Sequence, residues 1–590
     1  MPPEQVGAAG RLIQTALRDV APDDAGSADQ VLTALVLGQC TTSWLVWVLT
    51  AEAWGRGTSL RVSDGEYDNV VQELSTHPGC SDVVVLVPWH QRLLAADDRA
   101  AQQRIDDELV FWRRAWDGTT TRGARLVQVG YDAVLPGSLG YHLGGGPNGT
   151  TFLIRRMNEA LRANLPVGAY FVDLEQIAGT LGRESFYDAR QYFWTKQPFS
   201  ARGVYRLAEH IWAGIRAVTT GPKKVLVLDL DNTLWGGVVG EVGPLGIELG
   251  DSSVGEAYRA VQQHCRDLAQ RGVVLAVCSK NNPADAREPF ARNRDMVLTL
   301  DDCATFEASW DPKPVALRRI ARTLRLGLDS FVFFDDDPAE REHVRQTLPD
   351  VEVVEIPPDP ADYIRALQDG LWFEAVTLTA ADTERTAQYR ADEKRRAAQD
   401  SANSVEDYLR SLGMQSIVRP IDEADLPRVV QLLGKTNQFN LTTRRHTADD
   451  VWRILSATGS FGLTLRLRDR FSDYGLISVV LAAPLTEAEQ PTLRLDTWLM
   501  SCRAIGRTVE DYFLNCIAAE AQWRGYVAML GEFIPTEKNG QVAGLYQRFG
   551  FMPQPVGPNG VRRFRLSLCG WTPRATFVVD AECPDGLRSG

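Results

Sequence analysis

The 590-residue sequence contains no apolar run long enough to cross a bilayer, so no membrane-spanning helix is expected. It also lacks a basic excess. Lys and Arg number 63 against 76 Asp and Glu, and a net charge of −13 argues against a nucleic-acid partner. The nine cysteines and seven histidines include no CxxC and no Cys/His cluster. Neither a zinc site nor a disulfide framework is therefore expected, and the thiols are read as free. The opening residues, MPPEQVGAAGRLIQTALRDV, show no basic start followed by an apolar segment, so no signal peptide is expected and the protein is read as cytoplasmic. No internal repeat or low-complexity block is visible.

What is present is an ordinary globular composition, 44% hydrophobic and 24% charged, in a chain too long for one core. Over residues 1–220, short apolar runs (VLTALVLGQC, DVVVLVPW, ARLVQVGYD, AYFVDLEQ) alternate with helical patterns such as TFLIRRMNEALRANL. That alternation predicts a doubly wound parallel sheet. After the break TTGPKK, the run VLVLDLDNTLWGG opens a second α/β domain over 221–375, with further strands VVLAVCS and SFVFFDDD. A charged helical linker is expected over 376–410. The remainder, 411–590, differs in texture, with a helix near ADLPRVVQLLGK and strand pairs around GLTLRLRDRFSDYGLISVVLAA. The expected fold class is α/β in three domains.

The informative residues are carboxylates at strand ends. Asp229 and Asp231 stand in a DxDxT arrangement beyond VLVL, where α/β sheets bind ligands. Asp229 can attack a phosphorus centre, and Asp231 can serve the leaving-group oxygen as general acid and then base. Asp335, Asp336 and Asp337 follow the strand FVFF, and one carboxylate from each strand can share a hard cation such as Mg²⁺. Ser279 and Lys313 offer a hydroxyl and an ammonium to phosphoryl oxygens. A lone DxD is more often a solvated turn; four elements in this order reverse that weighting.

With Thr233 included, these residues match the four motifs of the haloacid dehalogenase (HAD) phosphatase superfamily. The resemblance implies a phosphoaspartate on Asp229 and acid/base work by Asp231. It also implies phosphoryl binding by Thr233, Ser279 and Lys313, with Lys280 as a secondary cation, and a Mg²⁺ site on Asp229, Asp231, Asp335 and Asp336. A narrower resemblance is carried by LDLDNTLWGGVVGEVG, CSKNNPADA, WDPKP and FFDDDPAERE, and further on by KTNQFNLTTRRH, DRFSDYGLIS, WLMSCRAIGRTVEDYFL and IPTEKNG. These stretches look like the FkbH-like proteins of polyketide pathways. Such enzymes take 1,3-bisphosphoglycerate, remove phosphate, and load a D-glyceryl unit onto the phosphopantetheine thiol of an acyl carrier protein, for methoxymalonyl-type extenders or tetronates. That activity is what the resemblance implies here.

An acyl-phosphate substrate gives Cys278 an implied role, as a thiolate that attacks the acyl carbonyl, its pKa lowered by Lys280 and Mg²⁺. Cys502 is the rival thiol. Buried cysteines more often behave as small hydrophobes, and adjacent strand residues point to opposite faces. Cys278 and Ser279 therefore share a pocket only if the strand ends before them.

In the last third, SCRAIGRTVE resembles the pyrophosphate loop of GNAT acetyltransferases, with Arg503, Gly506 and Arg507, and with Thr508 where Gly or Ala is usual. Asn539, Tyr546, Gly550 and Phe551 resemble the second GNAT signature. The resemblance implies a GNAT-like α+β domain holding a pantetheine arm or carrier protein through Arg503, Gly506, Arg507, Asn539 and Tyr546, with Arg444 and Arg445 as further basic candidates. In the first domain, LVLGQCTTSW resembles the nucleophile motif of SGNH hydrolases. Gln39 and Cys40 replace its Asp and Ser, and Gln191 stands third after Asp188 where a His is required. A non-catalytic SGNH-like domain is expected, with Cys40 as a remote second thiol. Two other readings stay open: a HAD phosphatase fused to a GNAT acyltransferase, and a non-enzymatic carrier-protein scaffold.

Overall fold

The computed structural model describes residues 3–19, 31–76, 79–94, 100–134, 140–146, 149–378, 404–436, 439–485, 490–501, 504–536, 539–555 and 561–582, with single positions between. The chain forms two compact units, Met1–Thr383 and Glu384–Gly590.

The first unit holds two separate parallel sheets. One is built from β1 (Leu32–Gly38), β2 (Leu60–Asp64), β3 (Val83–Val87), β4 (Arg125–Val129) and β5 (Tyr170–Val172), in the order β2-β1-β3-β4-β5. Every pairing is parallel. The sequence VVVLV of β3 is buried at every position, as a strand covered on both faces requires. Helices Ser43–Gly55 and Ala201–Thr219 pack on one face through Leu45, Val46, Leu207 and Ile211. Helices Ala101–Thr121 and Thr150–Asn164 cover the other through Ile105, Trp112, Leu153 and Met157. This is the expected doubly wound arrangement.

The second sheet comprises β6 (Val225–Leu228), β7 (Val274–Ser279), β8 (Cys303–Ala308), β9 (Phe331–Phe334) and β10 (Glu352–Val353), ordered β10-β9-β6-β7-β8 and again parallel. Its core is separate from that of the first sheet. The strand order reverses at β6, so a crevice opens at the carboxyl ends of β6 and β9. Register decides what meets there. Leu228 lies level with both Phe334 and Val277, so the next residues, Asp229, Asp335 and Cys278, are brought side by side.

The second unit is an α+β fold around one mixed sheet. Its strands are β11 (Gln415–Pro420), β12 (Phe461–Arg468), β13 (Asp473–Pro484), β14 (Thr492–Met500), β15 (Ala528–Phe533), β16 (Met552–Gln554), β17 (Arg562–Ser567) and β18 (Val579–Asp580). They run in the order β16-β17-β15-β14-β13-β12-β11-β18, antiparallel except for β14–β15 and β11–β18. A parallel pair needs a crossover, and helix Val509–Trp523 supplies it. The β14–β15 register stops at Leu495↔Gly531 although both strands continue. The freed edges are taken up by residues 439–441. Leu441 donates its N–H to the Trp498 carbonyl (3.2 Å) and accepts from Ile534 N–H (2.9 Å), and Met500 N–H donates to the Phe439 carbonyl (3.0 Å).

Much of the expected linker over 376–410 lies outside the described residues. The helix Val405–Ser411 is described, with the Ser404 side chain accepting from Asp407 N–H as its N-cap. Among the described residues no helix is long and apolar enough to cross a membrane.

Candidate active site

Three carboxylates converge at the end of the second sheet. Ligand atoms of Asp229, Asp335 and Asp336 lie within 4.8 Å of one another. Two of them share one cation, because Lys313 Nζ is 2.7 Å from Asp229 Oδ1 and 2.7 Å from Asp335 Oδ2. The ammonium also donates to the Cys278 carbonyl at 3.0 Å. Lys313 is the first residue of the helix Lys313–Leu324, so its short reach to the strand ends is set by the helix start.

Burial shapes the charges. Desolvation and the neighbouring Asp229 charge push the Asp335 carboxyl up to about 7, with Lys313 opposing. Desolvation, then Asp229, push Asp336 up to about 6, opposed by the hydrogen bond from Thr233. Burial alone would lower the Lys313 ammonium, but Asp229 and Asp335 outweigh it and raise its pKa. Three carboxylates against one ammonium leave a surplus of two negative charges. A divalent cation with oxygen ligands fits that deficit.

Thr233 is fully buried, and its hydroxyl bridges Asp336, donating to Oδ1 (3.1 Å) and accepting from the backbone N–H (3.1 Å). Arg341 donates to the carbonyls of Asp335 (2.8 Å) and Asp336 (2.7 Å), fixing the loop that carries them.

The Asp231 carboxylate is not among the three that converge. Its Oδ1 accepts from Trp235 Nε1 (2.9 Å) and Val239 N–H (3.0 Å), and its Oδ2 from Asn281 Nδ2 (2.8 Å). The reason is local. The strand stops at Leu228, and the turn that follows, with Asn232 at φ +52°, swings the carboxylate away from the other three. Asn281 also donates to Ser279 Oγ at 3.2 Å, tying the candidate acid/base to the candidate phosphoryl-oxygen ligand.

Cys278 lies beside the site but is not presented to it. The strand runs through Ser279 and Cys278 is 1% exposed, so the two side chains leave opposite faces. Burial pushes its thiol up to about 12, with Lys313 pulling the other way. Lys280 does not offset this, because its ammonium pairs with Glu340. The thiol is thus neither exposed nor beside an unpaired Lys280, the two features an activated thiolate would draw on.

Asn281 and Arg341 are the residues that sequence reasoning passed over. The available signal for Asn281 was its position two residues past Ser279, on the same side of the emerging loop. Arg341 carried none, since a charged residue in a helix usually faces water.

The pantetheine candidates of the second unit are engaged within the fold. Gly506 N–H donates at 2.7 Å to Glu510 Oε1, so the chain's own buried carboxylate takes an amide expected to cradle pyrophosphate. Thr508, at φ +61°, accepts at its carbonyl from Thr576 Oγ1 (2.9 Å) and at its hydroxyl from Phe577 N–H (3.0 Å). Arg507 bonds the Tyr474 hydroxyl. Asn539 donates to the carbonyls of Asn440 (3.1 Å) and Ile534 (2.9 Å), and Tyr546 is buried against Gly531. Arg503 and Cys502 lie outside the described residues.

In the first sheet, Gln39 stands at the end of β1, donating to Glu108 Oε1 (2.7 Å) and accepting from Trp89 N–H (2.8 Å). Cys40 is buried, its thiol raised to about 12 by desolvation. Asp188 caps the helix Ala189–Thr195, accepting from Arg190 and Gln191 N–H. All are structural roles.

An Asp and two further Asp just past the ends of two adjacent parallel strands, a Lys at a helix start bridging two of them, and an Asp two residues after the first define a HAD-type phosphatase site. No protein-family model and no curated protein matches the sequence. Among solved structures, the N-terminal part of the protein BF1531 from Bacteroides fragilis, containing a phosphatase domain complexed with Mg, is similar. It is 30% identical with a TM-score of 0.57, over 62% of this chain and 99% of that one. The chain belongs to the HAD phosphatase family. The GNAT domain of S. lividans PAT is 21% identical over 25% of this chain and 89% of its own, with a TM-score of 0.21. The ribosomal-protein-S18-alanine N-acetyltransferase of Escherichia coli is 10% identical over 26% and 94%, with a TM-score of 0.20.

Proposed function

We propose that the chain is a Mg²⁺-dependent phosphoryl-transfer enzyme working through a phosphoaspartate on Asp229, coupled to an acyltransferase. The observation that carries this reading is the set of three carboxylates within 4.8 Å, two of them bridged by one buried lysine. Asp229, Asp335 and Asp336 would hold the Mg²⁺, as BF1531's phosphatase domain binds Mg. Bound there, the ion supplies positive charge to the phosphoryl oxygens. Asp229 attacks phosphorus while Asp231, as general acid, delivers a proton to the departing oxygen. Asp231 then takes a proton from water, whose oxygen displaces Asp229. Asn281 holds Asp231 for both steps, and Lys313 and Ser279 hold the phosphoryl oxygens.

The substrate we propose is 1,3-bisphosphoglycerate, whose D-glyceryl unit passes to the phosphopantetheine thiol of an acyl carrier protein for polyketide assembly. The motifs shared with FkbH-like proteins support this. The burial of Cys278 favours direct attack by the carrier's own thiol over a glyceryl-enzyme at that residue.

The test is intact-mass analysis of a phosphopantetheinylated carrier incubated with the chain, Mg²⁺ and 1,3-bisphosphoglycerate. A glyceryl adduct without phosphate is expected. Acetyl-CoA turnover with no glyceryl adduct would favour a phosphatase fused to an acetyltransferase. Phosphate release that survives Asp229→Asn refutes the phosphoaspartate.

A further inference from the structure

The motif LTTRRH (441–446) serves no part of the phosphatase site, yet the fold expends many contacts on it. Residues 439–441 wedge between β14 and β15 where those strands separate. The turn after them is held tightly: Asn440 Oδ1 accepts from Thr443 N–H (2.8 Å), and Thr442 Oγ1 donates to the Asp496 carbonyl (3.0 Å). Thr443, a β-branched residue, sits at φ +51°, a conformation that costs free energy and persists only where its surroundings impose it.

This turn aims two side chains at Asp496 and Glu532, the first residues of the two strands beyond their last pair, Leu495↔Gly531. Arg444 Nη1 is 3.0 Å from Asp496 Oδ1, and its Nη2 donates to Glu532 Oε2 at 2.8 Å. His446 Nε2 lies 3.0 Å from Asp496 Oδ2 and 3.2 Å from Thr497 Oγ1. Among the described residues, its Nδ1 has no hydrogen-bond partner. Two more guanidinia join: Arg494 Nη2 at 3.3 Å from Asp496 and Arg563 Nε at 3.2 Å from Glu532.

Asp496 and Glu532 are buried, whereas the side chains of Arg444, Arg494 and Arg563 remain 29, 37 and 40% exposed. Three guanidinia over two carboxylates leave a positive surplus at the surface of a chain with a net charge of −13. A His oriented through one nitrogen by a carboxylate, beside that surplus, has the parts of an acyl-transfer site: a base and an anion clamp. Glu510 already takes an amide of the loop that a pyrophosphate would need, which disfavours a nucleotide-linked acyl donor; an acyl phosphate makes no demand on that loop.

We propose that Arg444, His446, Asp496 and Arg494 form a second catalytic site, at which an acyl phosphate reacts with a pantetheine thiol. His446 Nδ1 takes the thiol proton as sulfur bonds to the acyl carbon. The carbon–oxygen bond to phosphate breaks, phosphate leaves with the bonding pair, and His446 returns the proton to it. Asp496 positions the imidazole, and Arg444 and Arg494 hold the phosphate oxygens. The donor class rests on the function proposed above. The first unit would then hydrolyse the remaining phosphate ester.

The experiment measures thioester formation by the full chain in two assays, 1,3-bisphosphoglycerate with a phosphopantetheinylated carrier and acetyl phosphate with pantetheine. Hydrolysis of p-nitrophenyl phosphate reports the other site. His446→Gln should lower thioester formation by roughly 10²–10⁴-fold with hydrolysis unchanged. Imidazole should restore part of it to His446→Gly, which a merely structural role would not allow. Arg494→Ala should raise the KM for acetyl phosphate by about tenfold. Wild-type thioester formation by His446→Gln overturns the proposal, as does a loss in His446→Gly that imidazole leaves untouched. If the wild type loads no carrier but makes thioester from acetyl phosphate in a His446-dependent way, the site stands and the glyceryl reading falls. If it makes neither thioester, both fall.

Discussion

Replacing Lys313 with Met tests the electrostatics of the phosphatase site most directly. The ammonium is 3% exposed and touches Asp229 and Asp335 at 2.7 Å each. Methionine matches the stem in length and removes only the charge and its hydrogen bonds. Three carboxylates within 4.8 Å then face one another with no cation. Removing one partner of a buried ion pair typically costs about 3–5 kcal/mol. For a domain of this size that corresponds to a fall in Tm on the order of 10 °C. The penalty must depend on pH, and the sign follows from the carboxyls. Asp335 and Asp336 have folded pKa values near 7 and 6, above the usual Asp value, so the folded state holds extra protons between about pH 4 and 7. Those protons relieve the repulsion, and without Lys313 the carboxyls rise further. The Tm deficit of Lys313→Met, followed by differential scanning fluorimetry without metal, should be small at pH 5 and largest near pH 8. Phosphatase activity at saturating Mg²⁺ should fall roughly 10²–10³-fold, the usual effect of losing one preorganised cationic or donor group. A variant as stable as the wild type at pH 8, or a deficit that shrinks as pH rises, would refute the reasoning.

Mg²⁺ should stabilise the wild type by about 2.7 kcal/mol at a hundredfold excess over Kd. Because binding needs the deprotonated carboxylates, the Tm gain should grow from pH 5 to pH 8; equal gains at both would contradict the assigned ligands. Cys278→Ala should keep phosphatase and glyceryl-transfer rates within about threefold and cost about 1 kcal/mol of stability, since the thiol is buried in a strand. Loss of glyceryl transfer alone would return Cys278 to the mechanism. Asn281→Ala should lower kcat by roughly 10-fold or more with little change in KM, because it frees Asp231 from one of its donors; a pure KM effect would deny it that role. Acetyl-CoA at millimolar concentration should leave the Tm of the wild type unchanged. A saturable shift would show that Glu510 does not close the loop.

Much of the phosphatase site is legible in one dimension because strand ends and helix starts lie close to the residues that signal them. VLVL is too short and too apolar to be anything but a covered strand. A parallel sheet presents the residue after each strand at one edge, and this alone places Asp229 and Asp335 together. Lys313 follows for the same reason, at the first turn of its helix. The Asp231 carboxylate stands apart from the other three because spacing by two sets a shared face only while the chain remains a strand, and this strand ends at Leu228. Cys278 posed the opposite case, since its strand continues one residue further than a catalytic thiol could tolerate. In both, a single residue of strand length changed the side on which a functional group emerges.

The second unit shows the larger gap. Its loop SCRAIGRTVE carries the pattern of an anion site, but no local pattern reveals that Glu510 folds back onto Gly506 or that residues 576 and 577 close over Thr508. Nor does LTTRRH announce that it will meet Asp496 and Glu532, 50 and 88 residues away from the residues they bind. By itself, the sequence determined the kinds of layer, the strand ends and the HAD carboxylates, because short-range periodicity and covalent spacing control them. Only the tertiary structure decided which charged groups face one another, because a side chain's partner is set by where distant strands separate and which loop fills the gap.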